Sequence, residues 1–94
     1  MSPVHFASNF VLQYFPVDIH PSARKHGVEG ADIEHAIANA MNTDDQDNDR
    51  RLYLGPARNA ELLEVVTVVR AIGPELAIHA MKMRSKYLRL LPGD

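Results

Sequence analysis

The chain contains no cysteine, which excludes a disulfide scaffold, a thiolate metal site and a cysteine nucleophile. No apolar run approaches the roughly 20 residues that are needed to cross a bilayer. Residues 1–15 are fairly apolar, but no lysine or arginine precedes them, as a signal peptide would require. These absences predict a cytoplasmic protein with no membrane partner.

What is present is an ordinary globular composition. The 94 residues are 46% hydrophobic and 23% charged, which predicts one domain over residues 1–94. The net charge of -2 hides an asymmetry, because four aspartates crowd residues 44–49, whereas the basic residues of the last segment have no acid between them. This balance argues against a protein that coats DNA non-specifically, but a local basic face remains open.

Helical patterns fall at both ends of the chain. Residues 1–17 indicate an N-terminal strand or a loosely attached segment, and residues 18–26 predict a short helix that ends at Gly27. A second helix is predicted over residues 30–41, whose apolar residues follow helical spacing: Ile33, Ala36, Ile37, Ala40 and Met41. Residues 42–49 are interpreted as a polar loop, and residues 83–91 as a basic C-terminal helix.

Three strands are predicted between these helices, over residues 51–55, 62–70 and 76–81. The first alternates Leu52 and Leu54 with polar or aromatic neighbours, and the second is apolar on both faces, as a central strand would be. Short connections make the three strands an antiparallel meander. The predicted fold is therefore α+β, with N-terminal helices, a three-stranded antiparallel meander and a basic C-terminal helix.

Several short strings resemble one family of small bacterial toxins, the BrnT type, and a related uncharacterised family. The resemblance lies in residues 24–28 (RKHGV), 32–36 (DIEHA), 51–55 (RLYLG), 62–66 (LLEVV) and 78–84 (IHAMKMR). It covers roughly residues 20–91 and defines a toxin-like core over residues 18–91. It implies a RelE-like fold, cleavage of RNA without a metal ion, and neutralisation by an antitoxin protein in a homodimer or a toxin–antitoxin hetero-oligomer.

Metal-independent RNA cleavage needs a base, cationic groups for the developing phosphorane charge, and an acid. Histidine suits proton transfer and arginine suits phosphate binding, because imidazole titrates near neutrality and the guanidinium group binds two oxygens at once. We therefore predict His79, Arg84 and Arg70 as catalytic residues. The predicted RNA-binding residues are Lys82, Lys86, Arg51 and Tyr87.

Each of these residues also has a purely structural interpretation. His79 would pack over the sheet with both nitrogens satisfied, the lysines would line a solvated helix face, and Tyr87 would pack in the core. His26 and His35 lack the further ligands of a metal site, so we predict neither a metal nor a cofactor. Two other functions also stay open: a non-catalytic protein-interaction module and, more weakly, a sequence-specific DNA binder.

Overall fold

The computed structural model describes residues 17–93. They form five strands, one α-helix and two 3-10 helices. The strands are β1 (Val17–Ile19), β2 (Asn42–Asp45), β3 (Arg50–Pro56), β4 (Leu62–Val68) and β5 (Glu75–Lys82). The helix α1 spans Gly30–Ala38, and the 3-10 helices span Pro21–Arg24 and Ser85–Leu90. The strand or loose segment predicted for residues 1–17 lies almost wholly outside the described residues.

The five strands make one mixed sheet in the order β1-β5-β4-β3-β2. The three central strands β3, β4 and β5 are antiparallel to one another, as the meander prediction requires, and β2 adds an antiparallel edge beside β3. At the other edge, β1 runs parallel to β5, with Val17 opposite Glu75. The predicted fold class is therefore wrong, because the meander is the centre of a larger sheet and the flanking helices are mostly absent.

The first predicted helix, over residues 18–26, is instead the end of β1 followed by one turn of 3-10 helix. Val17 and Ile19 share one face of β1 and pack against the hydrophobic core, so burial favours a strand here. Pro21 then opens the 3-10 turn, where its missing N–H costs nothing. The residues predicted as a first helix therefore belong to the edge strand β1 and to the 3-10 turn that follows it.

The C-terminal helix predicted over residues 83–91 is likewise shorter, a 3-10 helix over Ser85–Leu90 whose N-cap residue, Arg84, is extended. Met83 donates its backbone N–H to Leu62, and Arg84 donates its own to the Glu64 side chain. These bonds hold the chain extended beyond β5, so a helix cannot begin until Ser85. The predicted loop over residues 42–49 is also partly wrong, because β2 occupies its first half.

The register of the ladder assigns side chains to the two faces of the sheet. Directly paired residues share a face, and successive residues alternate. The helix face, on which α1 packs, carries Tyr53, Val65 and Ala80, and it forms the hydrophobic core with Ile33 and other residues. The opposite face carries Leu52, Leu54, Glu64, Val66 and His79.

The helix α1 approaches the sheet most closely at Gly55. A Cβ atom on this glycine would lie 2.1 Å from the carbonyl oxygen of Ala36 in α1, so only glycine fits here. His35 adds a hydrogen bond of 2.8 Å from Nδ1 to the carbonyl of Pro56. These contacts dock α1 against β3.

A β-bulge in β5 decides where His79 projects. Val66 pairs with His79, but the next residue of β4, Thr67, pairs with Ala77, so Ile78 is an extra residue on β5. A bulge shifts the alternation of side chains by one residue. His79 therefore shares a face with Leu76, not with Ala77. Regular alternation from Leu76 would place His79 on the other face of the sheet, and the bulge overturns that placement.

Candidate functional site

A buried carboxylate organises the opposite face of the sheet. Glu64 lies in the central strand β4 and its side chain is 0% exposed. Its Oε2 atom accepts hydrogen bonds from His79 Nε2 at 2.9 Å and from Arg84 Nη2 at 2.6 Å. Its Oε1 atom accepts from the backbone N–H of Arg84 at 3.0 Å and from Nε at 3.1 Å. We call these three residues the Glu64 cluster.

These bonds keep the carboxylate ionised. Burial raises the pKa of Glu64, but hydrogen bonds from the side chain and backbone of Arg84 and from His79 outweigh burial and lower the pKa to about 2. The same pairing raises the pKa of Arg84 above its usual value. At neutral pH the cluster therefore contains a fixed negative charge that is matched by a fixed positive one.

An ionised carboxylate can only accept hydrogen bonds, so Nε2 of His79 must carry the proton that it shares with Glu64. Neutral His79 then has its lone pair on Nδ1. Within residues 17–93, His79 makes its ring hydrogen bond through Nε2, and Nδ1 makes none. The side chain is 29% exposed, so part of the imidazole is within reach of a ligand. A histidine held by a carboxylate in this way has the orientation of a general base.

Arg84 reaches Glu64 from the extended segment between β5 and the C-terminal 3-10 helix. Its Nε and Nη2 atoms are engaged with the carboxylate, which leaves Nη1 outside these contacts, and its side chain is 47% exposed. The guanidinium carbon lies 5.9 Å from the centre of the Tyr87 ring, and the Lys86 ammonium lies 5.1 Å from the same ring. The predicted residues His79, Arg84, Lys86 and Tyr87 therefore lie in one region of the molecule.

Lys82 ends β5 on the helix face, since it pairs with the residue beside Glu64. Its ammonium group lies 3.3 Å from the carboxylate of Glu61, and its side chain is 75% exposed. An exposed pair of this kind holds its members weakly. Lys82 thus remains a solvent-accessible charge near the end of the strands that carry the cluster.

Two predicted residues lie elsewhere. Arg70 follows β4, where it donates to Asp18 at 2.6 Å and to the carbonyl of Pro74 at 2.7 Å. Glu64 is six residues earlier, which corresponds to roughly 20 Å along an extended strand. The structure therefore does not bring Arg70 to the Glu64 cluster, and its guanidinium group is paired with Asp18 instead.

Arg51 is on the helix face, because it pairs with Thr67. Its guanidinium group binds Asp45 at 2.6 Å and Glu75 at 3.0 Å. Glu75 also accepts hydrogen bonds from the hydroxyls of Tyr53 at 2.6 Å and Thr67 at 2.7 Å. Arg51 therefore belongs to a second polar network, on the other side of the sheet from His79.

A cleft of about 560 Å³ borders this second network. Its lining residues are Val17, Ile37, Arg51, Tyr53, Gly73, Pro74 and Glu75. Its walls are mostly apolar, and its charged groups already bind one another. The cleft therefore offers space but not the combination of imidazole and guanidinium that the Glu64 cluster provides.

Two members of the candidate site were missed from the sequence, Glu64 and His26. The His26 ring lies with its centroid 5.7 Å from that of His79, at an angle of 78° between the ring planes. Glu64 had a signal, because a lone acid inside an apolar strand must be paired if it is buried. His26 had only the basic string Arg24-Lys25-His26, and no local pattern links that string to β5.

Within residues 17–93 no three histidine, aspartate or glutamate side chains are grouped so that they could hold a metal ion. In the same range no helix is long and apolar enough to cross a membrane. Comparisons of the chain with protein-family models, with curated proteins and with solved structures gave no match. The function is therefore inferred from the geometry of the site and from the resemblance of the short strings.

Proposed function

We propose that the chain is an endoribonuclease that cleaves RNA without a metal ion at the Glu64 cluster. The observation that supports this most strongly is the hydrogen bond of 2.9 Å between Nε2 of His79 and the buried carboxylate of Glu64. It leaves Nδ1 of His79 as the proton acceptor on a partly exposed ring, beside a guanidinium group. Proton acceptor and cation are the two groups that begin phosphodiester cleavage by an internal hydroxyl.

In this proposal His79 removes the proton of a ribose 2′-hydroxyl. Glu64 keeps the imidazole in the correct tautomer and stabilises the imidazolium that forms. Arg84 contributes Nη1 to the non-bridging oxygens of the phosphate, where negative charge develops in the transition state. Lys86 and Tyr87 lie beside Arg84 and would bind the flanking phosphate and base.

The test is cleavage of total cellular RNA by the purified chain in excess EDTA, with and without ribosomes. The wild-type chain should produce discrete fragments. His79→Ala should lower the rate by roughly 10²–10⁴-fold, and Arg84→Ala by roughly 10²–10³-fold. Arg89→Ala is the control, because Arg89 is an exposed arginine in the last turn of the C-terminal 3-10 helix, five residues after Arg84. Full activity of both site variants would refute the assignment.

Neutralisation by an antitoxin protein is part of the same proposal, and its support is the resemblance to the BrnT-type toxins. Growth of cells that express the chain should slow, and co-expression of the product of an adjacent reading frame should restore it. Gel filtration would then show a hetero-oligomer of the two proteins. A chain that slows growth and forms no complex with its neighbour would be a nuclease outside such a pair.

A non-catalytic interaction module is the second candidate, and one observation favours it. Arg84 neutralises Glu64 through a contact of 2.6 Å, so the cluster is also explained as an internal ion pair that fixes the C-terminal segment. This function predicts no RNA cleavage under any of the conditions above. It also predicts a stable complex with a defined partner that His79→Ala leaves intact.

A further inference from the structure

The base and the cation of the proposed ribonuclease leave one requirement unmet, which is a group that protonates the departing oxygen. Glu64 cannot supply a proton, since its pKa is about 2 and its oxygens already accept four hydrogen bonds at 3.1 Å or less. A second imidazole would meet the requirement.

His26 is the imidazole next to His79. Its side chain is exposed, and the two ring centroids are 5.7 Å apart. Arg24 and Lys25 precede it directly and are also exposed, so the segment that carries His26 is positively charged. Positive charge on this segment favours the binding of a polyanion next to it.

The position of His26 is fixed by contacts with β5. The hydroxyl of Ser22, in the first 3-10 helix, donates to the carbonyl of Ile78 at 2.7 Å, and Ile78 is the bulge residue directly before His79. The backbone N–H of His20 donates to Ala77 at 2.9 Å. Ala23 is fully buried in the core. The 3-10 helix is therefore attached to β5 beside the bulge, and His26 follows it two residues after it ends.

Gly27 then reverses the chain. Its φ of +83° is in the left-handed region, which glycine adopts without strain. The turn places His26 at the end of the segment instead of inside a helix. Two different parts of the chain thus present one imidazole each to the same region of the surface.

We propose that His26 is the general acid of the ribonuclease, and this inference rests on the function proposed above. His79 takes the 2′-hydroxyl proton on Nδ1 as O2′ forms a bond to phosphorus. The bond from phosphorus to O5′ breaks, and the His26 imidazolium gives its proton to O5′. The products are a 2′,3′-cyclic phosphate and a free 5′-hydroxyl, with one proton moved from His26 to His79 overall.

The separation of the two rings fits this division of roles. In an in-line displacement the attacking and leaving oxygens lie on opposite sides of phosphorus. Each oxygen must come within roughly 2.6–3.2 Å of its imidazole nitrogen, so the two nitrogens can be at most about 9 Å apart. Ring centroids 5.7 Å apart satisfy that limit. A 2′-hydroxyl is an obligatory part of the substrate, so the substrate class is RNA and not DNA.

The experiment uses the position at which the wild-type chain cuts total RNA. An oligoribonucleotide spanning that position is made in three forms: unmodified, with a single 2′-deoxyribose before the cut, and with sulfur in place of the bridging 5′-oxygen. A thiolate leaves without protonation, so the sulfur substrate does not need a general acid. Rates are compared for wild type, His26→Ala, His79→Ala and Lys25→Ala.

The expected result for the unmodified RNA is a loss of roughly 10²–10⁴-fold in His26→Ala. On the sulfur substrate the same variant should regain a rate within about tenfold of the wild type, because the missing proton is no longer required. His79→Ala should stay slow on both substrates, and the deoxy substrate should resist every form of the enzyme. Lys25→Ala controls for the loss of an exposed charge and should show no preference for sulfur.

Two outcomes would overturn the inference, and they are distinguishable. If wild type cleaves RNA and His26→Ala retains full activity or shows no recovery with sulfur, His26 is not the acid and the proposed function stands. If wild type cuts no RNA, the proposed function itself fails. Because His26 is exposed, its replacement should change the free energy of unfolding by only about 0.5 kcal/mol. His26→Gln provides a second variant with the same expected loss.

Discussion

Nε2 of His79 lies 2.9 Å from Oε2 of Glu64, a carboxylate that is wholly withdrawn from solvent. An ion in that position costs several kcal/mol of desolvation unless hydrogen bonds compensate it. His79 and Arg84 supply the compensation, so the residues proposed to act on RNA also stabilise the fold. Predictions on this cluster must therefore measure stability and cleavage separately.

Glu64→Gln should destabilise the protein near neutrality and remove part of its acid sensitivity. The pKa of Glu64 falls from 4.5 to about 2 on folding, so its contribution is complete above about pH 4.5 and is lost as pH falls through about 2. A shift of this size corresponds to about 3 kcal/mol. Chemical denaturation at several pH values would show the difference between wild type and Glu64→Gln shrinking between pH 5 and pH 2.

Glu61→Gln is the control for that series, because Glu61 is half-exposed and, within residues 17–93, its ion pair is with the exposed Lys82. Its free energy of unfolding should follow the wild type within about 0.5 kcal/mol at every pH. A gap between wild type and Glu64→Gln that stays constant from pH 5 to pH 2 would mean that folding does not lower the pKa of Glu64.

Arg84→Lys should impair both stability and cleavage, although the charge is kept. A lysine offers one ammonium group in place of the planar fork that binds both oxygens of Glu64. We expect a loss of about 1–3 kcal/mol in the free energy of unfolding and a cleavage rate reduced by at least about tenfold. Arg89→Lys should change neither, and an Arg84→Lys variant as active as Arg89→Lys would show that charge alone suffices.

The central strands could be predicted from the sequence because each is identified by a hydrophobic pattern within its own residues. Alternation of Leu52 and Leu54 with their neighbours, and the apolar run that became β4, are patterns within single strands. The edges of the sheet could not be predicted in this way. The strand β1 has three residues and β2 reads NTDD, so each owes its conformation to pairing with a distant strand.

The candidate site was predictable only in part, for the same physical reason. His79 and Arg84 were found because they lie within five residues of each other, but Glu64 is 20 residues before Arg84 and meets it through strand pairing. The bulge at Ile78 also moves the His79 side chain to the other face of the sheet. No feature of residues 78–82 (IHAMK) predicts the bulge. Arg70 could not be placed from the sequence, because the register that pairs Val66 of β4 with His79 of β5 puts Arg70 four residues beyond that pair.

Tyr53→Phe should make the protein less sensitive to alkali. Burial, followed by the hydrogen bond to Glu75, raises the pKa of Tyr53 to about 12. A folded pKa above the unfolded value of 10 means that stability is lost as pH rises from about 10 to about 12. The loss is at most about 3 kcal/mol, and the phenylalanine variant should not show it.

Denaturation of wild type and Tyr53→Phe at pH 9, 10 and 11 would measure this difference. At pH 8 the variant should be less stable by about 1 kcal/mol, since Glu75 loses one of its donors. Tyr87→Phe is the matched control, because Tyr87 is a tyrosine of the C-terminal 3-10 helix that lies beside Arg84 and not beside Glu75. Curves for wild type and Tyr53→Phe that stay parallel up to pH 11 would contradict the buried environment of Tyr53.

Gly55→Ala should destabilise the fold without altering the chemistry of the site. The new methyl group would lie 2.1 Å from the carbonyl oxygen of Ala36, a backbone atom that can move only if α1 moves. Overpacking of this kind costs about 1–3 kcal/mol or more. Gly93→Ala is the control, since the nearest contact of its methyl group within the described residues would be the carbonyl oxygen of Leu91 at 4.0 Å, an ordinary van der Waals distance. Thermal unfolding followed by circular dichroism should separate the two variants.

Gly55 faces α1 whereas the Glu64 cluster is on the opposite face, so the folded fraction of Gly55→Ala should cleave RNA at the wild-type rate. Equal melting temperatures for the two variants would show that α1 does not pack directly on β3.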